Sequence, residues 1–126
     1  TGRRILLAED VEINAEIMLE VLKMGGMEAE HAENGRIAVD MFAASPEGYY
    51  AAILMDIRMP EMDGLEATNA IRLMGREDAK TIPIIALTAN AFDEDVQRSL
   101  QAGLNAHLSK PVDPDILYET LGNLVD

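Results

Sequence analysis

The sequence has no cysteine, few basic residues and no long apolar run, and each absence narrows its possible functions. Without cysteine there are no disulfides, thiolate zinc sites or cysteine nucleophiles, which fits a cytosolic protein. Lys and Arg total 10 against 23 Asp and Glu, a formal net charge of −13. Phosphate backbones and anionic lipids repel such a chain, so we expect no direct nucleic-acid or membrane contact. No run reaches the roughly 20 apolar residues of a membrane span, which favours a soluble, cytoplasmic domain.

The length and the hydrophobic content of the chain favour one hydrophobic core. It has 126 residues, of which 48% are hydrophobic. Because no repeat, low-complexity tract or linker interrupts the sequence, we expect a single domain over residues 1–126. The chain starts at Thr1 rather than at a methionine, and a segment cut from a longer protein is one interpretation of that start.

Short β-type runs alternate five times with amphipathic helical segments, a pattern typical of a parallel sheet with crossover helices. The predicted strands are Arg4–Ala8, Glu28–Ala32, Ala51–Met55, Ile84–Leu87 and Ala106–Ser109. The predicted helices cover Glu12–Met24, the segments after Asn34-Gly35 and after Gly64, about Phe92 to Ala102, and the segment from about Asp113.

Two finer predictions concern packing. The first helix is expected to turn Ile13, Ile17 and Val21 inward, with Met18 and Leu22 beside them. The segment Gly75–Thr81 is predicted to be a polar loop.

The apolar content of the strands predicts their order in the sheet. Strands one, three and four are nearly all apolar, as expected for central strands covered on both faces, whereas strands two and five look like edges. The pattern therefore predicts an α/β fold, a doubly wound parallel (βα)₅ sheet in the order 2-1-3-4-5. Its ligand crevice is expected outside the carboxyl ends of strands one and three.

Reactive side chains follow the carboxyl ends of these strands, and parallel strands bring such ends to one rim of the sheet. Three crowded carboxylates repel one another unless a cation compensates them, and an oxygen-only set suits Mg²⁺. The residues are Glu9 and Asp10 after strand one, Asp56 after strand three, Thr88 and Ala89 after strand four, and Lys110 with Pro111 after strand five.

The same rim favours phosphoryl transfer. The Thr88 hydroxyl and the Lys110 ammonium can hold anionic oxygens, which leaves Asp56 as the carboxylate placed to attack phosphorus. Each residue alone has a simpler interpretation, because an acid or a threonine after a strand often caps the next helix. Asp63-Gly64 is interpreted as a turn signal only. The joint occurrence of these residues at four strand ends favours the chemistry over four separate coincidences.

The sequence resembles the receiver domain of two-component response regulators over essentially its full length. The segments that carry the resemblance are LLAEDVEIN, ILMDIRMPEMDGLEAT, PIIALTANA and LSKP, in the family's order and spacing. The sequences of these segments are most similar to those of receiver domains attached to hybrid sensor histidine kinases. The resemblance implies a flavodoxin-like fold, and a signalling domain in a phosphorelay that is not a conventional enzyme but catalyses its own phosphorylation and dephosphorylation.

The resemblance also implies a metal site and a phosphoacceptor. It implies that Asp56 accepts a phosphoryl group from the phosphohistidine of a histidine kinase or a histidine-phosphotransfer domain. Asp10 and Asp56 would bind Mg²⁺ directly, and Glu9 partly through water. The backbone carbonyl of Arg58 would complete the protein ligands.

For the phosphoryl group itself, the resemblance implies that Thr88 and the Ala89 amide bind its oxygens and that Lys110 pairs with them. It also implies a cis Lys110–Pro111 peptide bond.

Two histidines need separate interpretation. The family commonly has Tyr or Phe three residues before the lysine, where this chain has His107. Packing at an edge strand is the simpler interpretation of His107, and a switch that responds to movement of Thr88 is the alternative. His31, on strand two, is predicted to be structural and to lie away from the rim.

Two other functions stay open as alternatives. A phosphatase with an aspartyl nucleophile resembles this site, but its Asp-x-Asp motif needs an acid where Arg58 stands. A module that binds partners without phosphorylation would be expected to lack an acid or the lysine, and this chain has both. A nucleotide-binding domain needs a glycine-rich turn where Glu9-Asp10 stands.

Overall fold

Five strands form one parallel sheet in the computed structural model of the chain, which describes residues 3–57, 59, 62–88, 103–109 and 112–124. The order across the sheet is β2-β1-β3-β4-β5, which confirms the predicted fold class and both predicted edges. Neighbouring strands are parallel throughout. The strands are β1 (Arg4–Ala8), β2 (Glu28–Ala32), β3 (Ala52–Asp56), β4 (Ile84–Thr88) and β5 (Ala106–Ser109).

Helices cover both faces of this sheet, as the doubly wound prediction requires. One buried cluster contains Phe42 and Ile71, and the cluster on the other face contains Leu22 and Leu117. None of the helices in these parts of the chain is long and apolar enough to cross a membrane. The predicted helix from Phe92 to Ala102 lies outside the described residues. Those described are α1 (Glu12–Met24), α2 (Gly35–Ala44), α3 (Gly64–Arg72), α4 (Glu77–Thr81) and α5 (Pro114–Leu124).

Helix α1 buries only part of the predicted face: Met18 and Leu22 are buried, as predicted. Ile13 and Ile17 are 64% and 57% exposed, so the prediction that they turn inward is wrong. Ala15, Met18 and Leu22 are the buried residues of this helix. Because α1 carries apolar residues on two sides, hydrophobic spacing alone does not indicate which side meets the sheet.

The segment Gly75–Thr81, predicted to be a loop, contains the short helix α4. Its Ala79 is fully buried. The guanidinium of Arg76 donates hydrogen bonds of 3.0 and 2.8 Å to the carbonyl oxygens of Phe42 and Ser45, at the end of α2. These contacts with residues distant along the chain stabilise α4, a short helix that the polar sequence of this segment does not predict.

Candidate functional site

Three carboxylates converge at the carboxyl ends of β1 and β3. One carboxylate oxygen from each of Glu9, Asp10 and Asp56 lies within 4.8 Å of the other two. Asp56 is the last residue of β3, one position beyond the predicted strand end, and Glu9 directly follows β1. Glu9 and Asp56 are 1% and 5% exposed, whereas Asp10 is exposed at the surface. The structure therefore brings together the three acidic residues that the sequence predicted.

This cluster can hold a divalent cation. Like charges at such short separation, two of them buried, repel one another, and a cation between them removes that repulsion. All three ligand atoms are carboxylate oxygens. This donor set matches Mg²⁺, which takes a few carboxylates from a protein and completes its octahedron with waters.

Hydrogen bonds to β2 and to Val11, the residue before α1, hold Glu9 in place. Its backbone N–H donates to the Ala32 carbonyl oxygen at 3.0 Å, and its carboxylate accepts from the Val11 N–H at 3.1 Å. Its carbonyl oxygen lies 2.8 Å from Nε2 of His31. The prediction that His31 lies away from the rim is therefore wrong, because β2 ends beside the loop that carries the acidic residues.

Gly64 packs directly against the backbone of Asp56, a contact that sequence reasoning missed. A Cβ atom at this position would overlap the Asp56 carbonyl oxygen. The Gly64 N–H donates to the Ile57 carbonyl oxygen at 2.9 Å. Asp63 caps α3 by accepting a 2.8 Å bond from the Glu66 N–H, and the Glu66 side chain accepts from the Asp63 N–H. The spacing of Asp63 and Glu66 is that of a capping box, so it indicated that α3 begins at Gly64 but not that Gly64 contacts Asp56.

Thr88 is the last residue of β4, the strand that pairs with β3, and β3 ends at Asp56. It is 4% exposed, and no hydrogen-bond partner for its Oγ1 is found within the described residues. Because a buried hydroxyl is normally hydrogen-bonded, this oxygen is suited to contact a ligand oxygen at the rim.

His107 lies in β5 opposite Ala86 of β4, and Thr88 lies opposite Ser109. Since side chains alternate along a strand, His107 and Thr88 lie on the same face of the sheet. The role of His107 as a switch stays a prediction.

Four predicted site residues lie outside the described residues: Arg58, Ala89, Lys110 and Pro111. Their contributions to the metal and phosphoryl sites, and the cis Lys110–Pro111 bond, stay predictions.

The chain belongs to the response regulator receiver domain family, whose sequence pattern matches residues 5–122. Hybrid signal transduction histidine kinase I of Dictyostelium discoideum is 36% identical over 125 residues, which cover 98% of this chain and 7% of that protein. Sensor histidine kinase RcsC of Escherichia coli K12 is 36% identical over 117 residues, covering 93% and 12%. The chain thus spans a small fraction of the length of these kinases.

A solved structure shares both the fold and the sequence pattern. It is the receiver domain of a sensor histidine kinase from Pseudomonas aeruginosa PAO1, with a magnesium ion coordinated in its active-site cleft. It superposes with a TM-score of 0.88 at 38% identity, covering 98% of each chain. The chain is therefore a receiver domain of the hybrid histidine kinase type, a signalling domain rather than a conventional enzyme.

Proposed function

We propose that this domain binds Mg²⁺ and accepts a phosphoryl group on Asp56, then signals or relays that group in a phosphorelay. The observation that carries the proposal is the convergence of Glu9, Asp10 and Asp56 within 4.8 Å at the rim of the sheet. The neighbouring strand ends at the buried hydroxyl of Thr88, which supports a site for phosphoryl oxygens beside the metal ligands.

The proposed reaction is an in-line phosphoryl transfer. A carboxylate oxygen of Asp56 forms a bond to phosphorus while the P–N bond of a phosphohistidine breaks, and the bonding electron pair stays with the imidazole nitrogen. Bound Mg²⁺ would neutralise charge on the transferring oxygens. The Thr88 hydroxyl would donate to one of those oxygens, and Lys110 and the Ala89 amide would hold the others. Rigid strand ends fix the acceptor, which is most of what this transfer needs.

The proposed phosphodonor is the phosphohistidine of a histidine kinase or a histidine-phosphotransfer domain. The family supports this proposal, because the relatives above are hybrid or sensor histidine kinases. The cysteine-free, acidic composition supports a cytoplasmic location without direct nucleic-acid or membrane contact. Hydrolysis of the aspartyl phosphate by the domain itself belongs to the same proposal.

The test is phosphorylation by a small acyl phosphate, followed by intact-mass measurement. We expect one phosphoryl adduct that requires Mg²⁺, is lost in Asp56→Asn and is retained in Asp40→Asn, a matched change at an exposed aspartate of α2. An adduct that survives Asp56→Asn or forms equally well in excess chelator would contradict the proposal. Continuous release of phosphate from phosphate esters would instead indicate the phosphatase alternative, which Arg58 disfavours because arginine cannot act as the acid.

A further inference from the structure

Both backbone groups of Glu9 are bonded to strand β2. Its N–H donates to the Ala32 carbonyl oxygen at 3.0 Å, and its carbonyl oxygen lies 2.8 Å from Nε2 of His31. A carbonyl oxygen can only accept, so Nε2 of His31 carries the hydrogen of this bond. The side chain of His31 thereby adds a hydrogen bond between β2 and Glu9, the residue that follows the last paired position of β1, Ala8.

The bond from His31 acts on the peptide unit that joins the first two acidic residues of the cluster. The Glu9 carbonyl and the Asp10 N–H belong to one planar group, so holding that carbonyl fixes the plane from which Asp10 departs. Asp10 is exposed and Glu9 is buried. The direction of this peptide therefore determines whether the exposed carboxylate reaches the two buried ones.

We propose that His31 is a positioning residue for the magnesium site. This inference rests on the proposed function, because it assumes that the cluster of Glu9, Asp10 and Asp56 binds Mg²⁺. His31 contributes no ligand atom to that cluster. It holds the backbone that carries two ligands, in the way that side chains behind metal ligands commonly orient them.

The surroundings of His31 favour a positioning role over a purely structural one. The ring is partly buried and lines a surface cleft with Asp10, Glu12, Glu33 and Asn34. If the ring is removed, water in this cleft can bond to the Glu9 carbonyl, so no buried acceptor is left unsatisfied. Such a water is not fixed to β2, however. The Glu9 carbonyl is then hydrogen-bonded, but the orientation of the Glu9–Asp10 peptide is no longer fixed by β2. The expected loss is therefore in metal affinity more than in stability.

The test compares Mg²⁺ affinity in three variants by calorimetric titration, with urea unfolding of the metal-free proteins beside it. His31→Leu removes the donor, and we expect it to weaken Mg²⁺ binding by about threefold to tenfold. His31→Gln carries an amide N–H as many bonds from its Cα as Nε2, and we expect affinity within about twofold of the unchanged domain. The control is Tyr50→Phe, which removes the 2.7 Å bond to Glu30 of the same strand and should lower stability alone.

Three results would overturn the inference: unchanged affinity in His31→Leu, equal weakening in His31→Gln, or equal weakening in Tyr50→Phe. A metal-independent readout separates this failure from failure of the proposed function. In the metal-free domain, amide exchange at Val11, whose N–H donates to Glu9, should accelerate in His31→Leu and not in His31→Gln. Absence of Mg²⁺ binding in the unchanged domain would refute the metal site, whereas unaltered exchange at Val11 would refute the positioning by His31.

Discussion

Asp10 is the exposed member of the acidic cluster, and we expect its charge to affect stability and metal binding in opposite directions. We expect Asp10→Asn to raise the melting temperature of the metal-free domain, because it relieves repulsion with Glu9 and Asp56. In the unchanged domain, Mg²⁺ at 100 times its Kd should stabilise the fold by ~2.7 kcal/mol. Asp10→Asn should largely abolish that gain.

Thermal denaturation with and without Mg²⁺ measures both effects, with Asp40→Asn as the control at an exposed site. A full Mg²⁺ response in Asp10→Asn would remove Asp10 from the ligand set.

Gly64 offers a second test at the residue scale, because its missing side chain lets α3 approach Asp56, the proposed phosphoacceptor. We expect Gly64→Ala to destabilise the fold by about 1–3 kcal/mol and to slow phosphorylation, since the added Cβ overlaps the Asp56 carbonyl oxygen. The matched change Gly122→Ala, in α5 with open space around it, should stabilise by about 0.5–1 kcal/mol. Urea unfolding compares them, and equal effects of the two substitutions would contradict the proposed overlap.

The acidic residues could be predicted from the sequence, whereas the residues that support them could not. Asp56 and Thr88 each follow or end an apolar run, and this local pattern marks a strand end at the rim. The contact of His31 with Glu9 joins positions 22 residues apart, and that of Gly64 with Asp56 depends on how α3 packs at the end of β3. They depend on tertiary packing, which hydrophobic spacing does not reveal.

At the scale of elements, the edge strand β2 is tied to the segment before β3 through one carboxylate. Glu30 accepts hydrogen bonds from the hydroxyls of Tyr49 and Tyr50 at 2.8 and 2.7 Å. The Arg4 guanidinium of β1 also lies 3.6 Å from it. The pKa of Glu30 is lowered, chiefly by the bond from Tyr50, then by that from Tyr49 and by the charge of Arg4.

This lowered pKa makes the stability of the β2 edge depend on pH. The ionised form of Glu30 is favoured in the folded state, so its contribution is present above the ordinary pKa of glutamate, about 4.3. It is lost as pH falls through the lower folded pKa. We expect the unchanged domain to be more stable than Glu30→Gln at pH 7, and the gap to shrink below about pH 4.3. Urea unfolding across pH measures the gap, and a gap that does not vary with pH would refute the assignment.

Strand order was predictable, and the faces of helices were less so. The apolar content of β1, β3 and β4 separates central strands from edges, because only central strands are covered on both faces. The prediction that Ile13 and Ile17 face inward was wrong because α1 carries apolar side chains on two sides. Helix α4 was not predicted because the hydrogen bonds that stabilise it join Arg76 to the end of α2, more than 30 residues away along the chain.

At the scale of the whole molecule, strand register assembles the site. Ala8 pairs with Met55, so the next residues, Glu9 and Asp56, emerge side by side at the rim. Asp56 in turn pairs with Leu87, which places Thr88 one step beyond. Because neighbouring strands are parallel, all these carboxyl ends lie at the same edge of the sheet. The proposed acceptor, the proposed metal ligands and the Thr88 hydroxyl are thus held at the ends of the buried central strands.

We expect Asp56 to be the residue that becomes phosphorylated. Borohydride reduces an aspartyl phosphate to homoserine, so peptide mapping of the reduced protein locates the modified side chain directly. After treatment with an acyl phosphate and Mg²⁺, we predict homoserine at position 56, and none when Mg²⁺ is removed by a chelator. Homoserine at position 10 instead of position 56, or a phosphoryl adduct that yields no homoserine, would contradict phosphorylation of Asp56.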